Sequence, residues 1–233
     1  MARITRKELK SDKFALEVEH TVDFFGEHHN EILRYGGIAL AVIAIGVAIW
    51  LYRSHEQTVR QQALSHALEI QAAPVGQAPP GAPVSFPTQE AKDKEAVKAF
   101  SELAVKYSGT DEGSIAEYYL GCMAADQGKL ADAEKRFQSV ADSGSKQYSS
   151  LAKLSLGQIY FSEGKTDQGE KLMRALMDHP TIFVSKEQAT LALAKGLITT
   201  KPAEARKLLE PLRATRGPAS QAAIQAFAEL PPQ

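Results

Sequence analysis

The side chains best suited to chemistry in this chain are Cys122, the only cysteine, and the histidines His20, His28 and His29. A reactive thiol needs a neighbouring base or a helix N-terminus to draw off its proton. Cys122 instead follows Gly121 in an apolar stretch, the setting of a small packed residue. One cysteine also excludes an intramolecular disulfide and any multi-cysteine metal site. The histidine spacing matches no strong ligand motif, so solvated imidazoles are expected. Asp126 and Asp132 read as solvated carboxylates. The chain contains no phosphate-binding glycine loop, no His-Glu-x-x-His, no Gly-x-Ser-x-Gly elbow and no paired-cysteine motif. The expectation is therefore a non-enzyme with no cofactor and no metal, whose function is binding.

Binding surfaces depend on the elements that present them, and the first of these is an uninterrupted apolar run from Tyr35 to Tyr52. As a helix rising about 1.5 Å per residue it extends roughly 27 Å, close to the roughly 30 Å hydrocarbon thickness of a bilayer. Arg34 and Arg53 bracket it, and Tyr35, Trp50 and Tyr52 supply rings suited to the headgroup level. A buried core helix is the rival reading, disfavoured by the charge on both flanks. A cleaved signal peptide is disfavoured by the long acidic segment in front and by Arg53-Ser54-His55-Glu56, which is no small-residue cleavage site. A net charge of -1 with 24% charged residues supplies no basic footprint, so nucleic acid is not an expected partner.

Arg3, Arg6, Lys7, Lys10, Lys13 and Arg34 precede the run, whereas after Arg53 and Arg60 no Lys or Arg appears until Lys92. This bias predicts a cytoplasmic N-terminus and an exported C-terminal part, in a bacterium the periplasm. Within the tail, Phe14, Val18, Val22 and Phe25 form one apolar stripe at helical spacing. The acidic residues around that stripe argue against adsorption to anionic lipid, so a protein partner is expected there.

Beyond the run, the stretch from Glu56 to Gln71 reads as a continuing helix stopped by Pro74. From Pro74 to Pro87 five prolines and two glycines favour an extended spacer, read here as a tether between membrane and domain. The expected boundaries are thus a tail at 1–34, a span at 35–52, a juxtamembrane helix at 53–73, a proline-rich linker at 74–89 and a repeat domain at 90–233.

The repeat is visible as a 36-residue period: Leu120-Gly121 recurs as Leu156-Gly157, and Gly128 recurs as Gly164. Ala133, Gly169 and Ala205 keep the same step, as do Phe137, Met173 and Leu209, and then Val140, Leu176 and Leu212. Each unit reads as two helices joined by a glycine turn, each leaving an apolar face that only a neighbour can bury. Ala96, Phe100 and Leu103 mimic the second helix of an earlier unit, which the Glu56 to Gln71 helix would complete. Ile224, Phe227 and Leu230 mark a helix at the C-terminal end. The predicted fold class is all-α, a helical-hairpin solenoid with an N-terminal transmembrane helix.

These units resemble the tetratricopeptide repeat: Tyr118, Leu120, Gly121, Ala133 and Phe137 fit the first, and Leu156, Gly157, Tyr160 and Met173 the second. The third is degenerate, with Ala192-Leu193 in place of Leu-Gly. In that register the concave groove is lined by Ile115, Tyr118, Cys122 and Ala125, then Leu151, Leu154, Gln158 and Phe161, then Thr190, Ala194 and Leu197. This lining is apolar and lacks the cationic clamp that carboxylate-capturing repeats use. Two occupants are expected with equal weight: an apolar partner segment, or the C-terminal helix around Ile224 and Phe227 folded back.

The acidic segment ending in Phe24-Phe25-Gly26-Glu27, the span from Gly36, the Trp50-Leu51-Tyr52-Arg53-Ser54-His55 exit and the repeats together resemble the YfgM-type family of single-pass inner-membrane proteins. That resemblance implies a periplasmic repeat domain, association with the SecYEG translocon, and a membrane-anchored prolyl-isomerase-like chaperone as partner. The alternative is a repeat scaffold that assembles another cell-envelope complex.

Overall fold

The computed structural model describes residues 29–76, 84–215 and 217–231, with side chains from Arg34 onward. The tail stripe Phe14, Val18, Val22 and Phe25, with His20 and His28, lies outside the described residues. The described residues are all-helical: α1 (His29–Ala72), α2 (Gln89–Lys106), α3 (Asp111–Asp126), α4 (Leu130–Ser143), α5 (Lys146–Ser162), α6 (Thr166–Asp178), α7 (Lys186–Leu197), α8 (Pro202–Arg213) and α9 (Pro218–Ala228). The chain divides into two units, Met1–Val59 and Arg60–Gln233.

In the first unit the described part is one helix, with side chains exposed at every position from Arg34 to Val59 and apolar from Tyr35 to Tyr52. It is a candidate membrane span by length and composition.

The second unit begins inside α1. Ala67 is 1% exposed and packs with Phe100, Leu103, Ala104 and Tyr107 of the α2 region and with Ala116 and Leu120 of α3. Residues 60–72 thus act as the first helix of a hairpin whose second helix is α2. The proline-rich stretch is not the tether expected above. Its ends are held together by a parallel bridge between Val75 and Phe86, with Gly76 N–H donating to Phe86 O at 2.9 Å and Phe86 N–H to Pro74 O at 3.1 Å. Its two ends meet between residues 60–72 and α2. The compact repeat unit therefore starts before position 74 rather than at 90, because residues 60–72 share with α3 the burial of Phe100 and Leu103.

Local signals set the helix ends. Thr88, Thr110 and Ser185 accept N-cap hydrogen bonds from Ala91, Gly113 and Gln188 N–H, each at 3.2 Å, and Pro202 and Pro218 open α8 and α9. Gly128 and Gly164 stop α3 and α5 in the left-handed region, at φ 72° and 75°. In both turns the next amide closes back on the helix, Lys129 N–H to Ala124 O at 2.9 Å and Lys165 N–H to Tyr160 O at 2.8 Å.

From α2 onward the helices pack in sequence, each on the next, with further contacts of α3 on α5, α5 on α7, and α7 on α9. The periodic positions are the core: Ala133 and Ala205 are fully buried, Phe137, Met173 and Leu209 are at most 2% exposed, and Val140, Leu176 and Leu212 at most 6%. The Leu-Gly pairs have a steric reason. A Cβ at Gly121 would stand 2.8 Å from the Phe137 ring, and one at Gly157 would overlap Met173, so the large residue of the second helix sits where the first has no side chain. In the third unit Leu193 fills the Gly position and Gly196 takes over the close approach, against Phe161.

The same period organises charge on the outer surface. Lys165 Nζ meets Glu134 Oε2 at 3.3 Å, and one repeat later Lys201 Nζ meets Glu170 Oε2 at 2.7 Å. Glu170 also accepts from Arg174, which reaches on to Glu204, and Lys201 with Arg174 holds the Glu170 carboxyl below its ordinary pKa. The last helix closes the stack: Ala223, Ala226 and Leu230 pack on the α7 and α8 core, while Gln221, Ile224 and Gln225 face solvent. Arg206 and Arg213 lie over the Phe227 ring, at 4.9 and 4.0 Å from its centroid.

Candidate functional site

The first helices of successive hairpins, α3, α5 and α7, lie side by side, and the sequence-predicted groove residues divide sharply between them. Between α3 and α5 a cleft of about 330 Å3 is open, lined by Cys122, Ala125, Asp126, Phe137, Ser155, Gln158, Ile159 and Ser162. Ile115, Tyr118 and Leu151 are half-buried on the same two helices, and Gln158 is exposed. Between α5 and α7 the predicted groove is closed. Leu154 is 7% exposed, Thr190 8%, and Ala194 and Leu197 are fully buried. The reason is Val184, also fully buried, which the α6–α7 connection drives into the Leu154, Leu193 and Leu197 cluster. These four residues are core, not lining.

Phe161 needs a similar correction. Its ring fills the notches left by two glycines, since a Cβ at Gly169 would stand 2.9 Å from it and a methyl at Gly196 would overlap it. It wedges α5, α6 and α7 together rather than waiting in a groove. Substituting Phe161 with Ala is expected to destabilise the protein by about 2–4 kcal/mol. Chemical denaturation of the full chain in detergent checks this, and an unchanged midpoint would return Phe161 to the groove.

Tyr118 anchors the open half. Its ring lies 5.6 Å from Phe137 and 5.7 Å from Tyr148, and Tyr148 in turn meets Phe183 edge-on at 5.6 Å. Burial pushes the Tyr118 phenol up to about 12, aided by the neighbouring Cys122. Tyr148, Phe183 and the 84% exposed Ile182 were missed in the sequence reading. Tyr148 is four residues before Ala152, outside the Leu-Gly signature, and Phe183 sits in a connection with no helical period to place it.

The lining is also more polar than expected, with Ser155, Gln158, Ser162 and Asp126 beside the apolar floor. The folded-back C-terminal helix does not occupy it, because α9 contacts α7 and α8 and reaches neither α3 nor α5.

Burial raises the Cys122 thiol above its ordinary pKa, with Asp126 adding to the rise and a hydrogen bond to Tyr118 opposing it. A raised pKa leaves less thiolate at neutral pH, so alkylation of Cys122 is expected to be slower than that of a free thiol and to accelerate steeply above pH 9. A rate equal to that of free cysteine at pH 7 would contradict this. Among the described residues no three His, Cys, Asp or Glu side chains converge as a metal site.

The family model for the tetratricopeptide repeat-like domain matches residues 23–210. The chain belongs to this family. The match takes in the candidate span as well as the hairpins through most of α8. No curated protein and no solved structure gives a match to the chain. Repeat-like domains of this kind are protein–protein interaction scaffolds, and Cys122, Ala125 and Gln158 of the sequence-predicted positions line the open cleft between α3 and α5.

Proposed function

We propose that this tetratricopeptide repeat-like protein is a single-pass membrane-anchored scaffold that receives partner segments in the α3–α5 cleft. Residues 35–52 cross the bacterial inner membrane once, with the tail in the cytoplasm and the repeats in the periplasm. The observation that carries the reading is that one chain joins an exposed apolar helix to a repeat domain with an open cleft between α3 and α5. Desolvating apolar lining contributes about 25 cal/mol per Å2 before ordering costs, so an apolar floor framed by polar groups suits a peptide segment or partner helix.

The partners proposed are subunits of the Sec translocon, met by the span and by the tail stripe Phe14, Val18, Val22 and Phe25, and a membrane-anchored periplasmic chaperone met by the repeats. The resemblance of the tail, span and exit segment to the YfgM-type family supports this choice, as does the excess of Lys and Arg before the span. No catalytic role is proposed.

Site-specific photo-crosslinking in living cells tests it, with the probe placed in turn at Phe25, Trp50 and Gln158. Phe25 and Trp50 are expected to capture a multispanning translocon subunit, and Gln158 an exported protein. Capture of a different envelope machine from Trp50 would replace the export reading with that of an assembly factor. No adduct from Gln158, with adducts from Trp50, would remove the cleft from the account.

A further inference from the structure

The cleft between α3 and α5 differs in chemistry from one end to the other. We propose that it selects a partner segment that is apolar at one end and carries a lysine or arginine at the other. This rests on the cleft being a docking site, as proposed above.

Towards the amino ends of α3 and α5, Tyr118, Tyr148 and Phe183 form a row of rings with centroids 5.7 and 5.6 Å apart, contributed by three separate elements. Phe183 is 41% exposed and Ile182 beside it 84%, so this end offers apolar surface to a partner.

The carboxyl end carries charge of the same sign as an acidic ligand. The short connections 127–129 and 144–145 turn the chain back twice, so α3 and α5 run in the same direction and both finish here. Asp126 is the last residue of α3 and Ser162 the last of α5, and both line the cleft. The last-turn carbonyls 123–125 and 159–161 accept from the turn amides, so the charge offered to a ligand at this end is that of the Asp126 carboxylate. Asp126 is exposed and takes part in no ion pair of the described residues. The lysines of the adjoining turns are engaged elsewhere: Lys129 donates to Gln127 Oε1 at 2.8 Å, and Lys165 holds Glu163 at 2.8 Å and Glu134 at 3.3 Å. No cation lines the cleft. A basic side chain complements this end, and an acidic one is repelled by it.

The spacing follows from the helix. Tyr118 and Asp126 are 126 − 118 = 8 residues apart on α3, about 12 Å along its axis. Three to four residues of extended chain cover that distance at about 3.3 Å each.

Selection of random twelve-residue peptides displayed on phage against the full-length protein in detergent micelles tests the proposal, with alkylation of Cys122 by N-ethylmaleimide locating each binder. Binders that shield Cys122 are expected to be enriched several-fold in Lys and Arg over the starting library, three or four residues from an aromatic or large aliphatic residue. D126K is expected to weaken them by about tenfold or more and D126N by less, both with the wild-type helical circular dichroism. Shielding peptides with no Lys or Arg enrichment, or with equal affinity for D126K, overturn the charge selection and leave the docking site standing. Binders that leave Cys122 fully reactive, or a selection that enriches nothing, overturn the docking site itself.

Discussion

Replacing Phe137 with Ala is expected to lower the stability of the repeat unit by about 3–5 kcal/mol, and its melting temperature by roughly 6–20 °C. Phe137 is 2% exposed, lies against the bare backbone of Gly121, touches the Tyr118 ring and forms the floor of the cleft. Removing the ring leaves a cavity that two helices, held by their turns, cannot close. The loss is expected to spread beyond α4. In a stack stabilised by nearest neighbours, the hairpins on either side lose the face they pack on. Phe137→Leu, which keeps most of the volume, is expected to cost less than about 1.5 kcal/mol. Val105→Ala, at a position 81% exposed, is expected to stay within about 0.5 kcal/mol of wild type. Thermal denaturation of the full chain in detergent, followed by circular dichroism, measures all three. If Phe137→Ala melts with Val105→Ala, the stacked core described here is wrong.

Placing two lysines in the middle of the apolar run, Val42→Lys with Ile45→Lys, is expected to abolish membrane integration. Each lysine near the centre of a spanning helix opposes insertion by about 2.5–3.5 kcal/mol, and together by about 5–7 kcal/mol, enough to reverse the partition. Both positions are exposed, so no packing is lost by the exchange. Alkaline carbonate extraction reads the result: wild type stays with the membrane pellet and the double variant moves to the supernatant. A double variant that remains in the pellet would mean that something other than residues 35–52 anchors the chain.

Much of the architecture was legible because stacking hairpins repeats one steric demand. A glycine opposite a large residue, and a left-handed glycine at the turn, recur at the same step in the α3–α4 and α5–α6 hairpins. Gly121 with Phe137, Gly157 with Met173, and the turn pair Gly128 and Gly164 announced this before any coordinates. The first hairpin was harder to read, since its helices are separated by the proline-rich loop, and prolines signal a lack of regular structure without saying whether the two ends meet. A bridge between Val75 and Phe86 is a contact of two residues far apart in sequence, for which local composition has no signature.

The groove was only half legible for a related reason. Position along a helix gives the face a side chain points from, but not what arrives there from elsewhere. Leu154, Ala194 and Leu197 do face the neighbouring helices, yet Val184, brought in by a connection without helical period, seals them in. Phe161 faces the same way and is consumed by the notch at Gly196, a glycine that falls outside the 36-residue register. Tyr148 and Phe183 enter the site through ring contacts across three elements.

The sequence alone therefore determined the periodic core, the turns and the apolar helix, because each depends on spacing within a single helix or between identical units. Only the tertiary structure decided that the two ends of the proline-rich stretch meet, that a cleft is open between α3 and α5, and that the predicted groove positions Leu154, Thr190, Ala194 and Leu197 are buried. Those outcomes depend on which side chains from distant parts of the chain compete for the same space, and volume exclusion acts between residues that no repeat spacing relates.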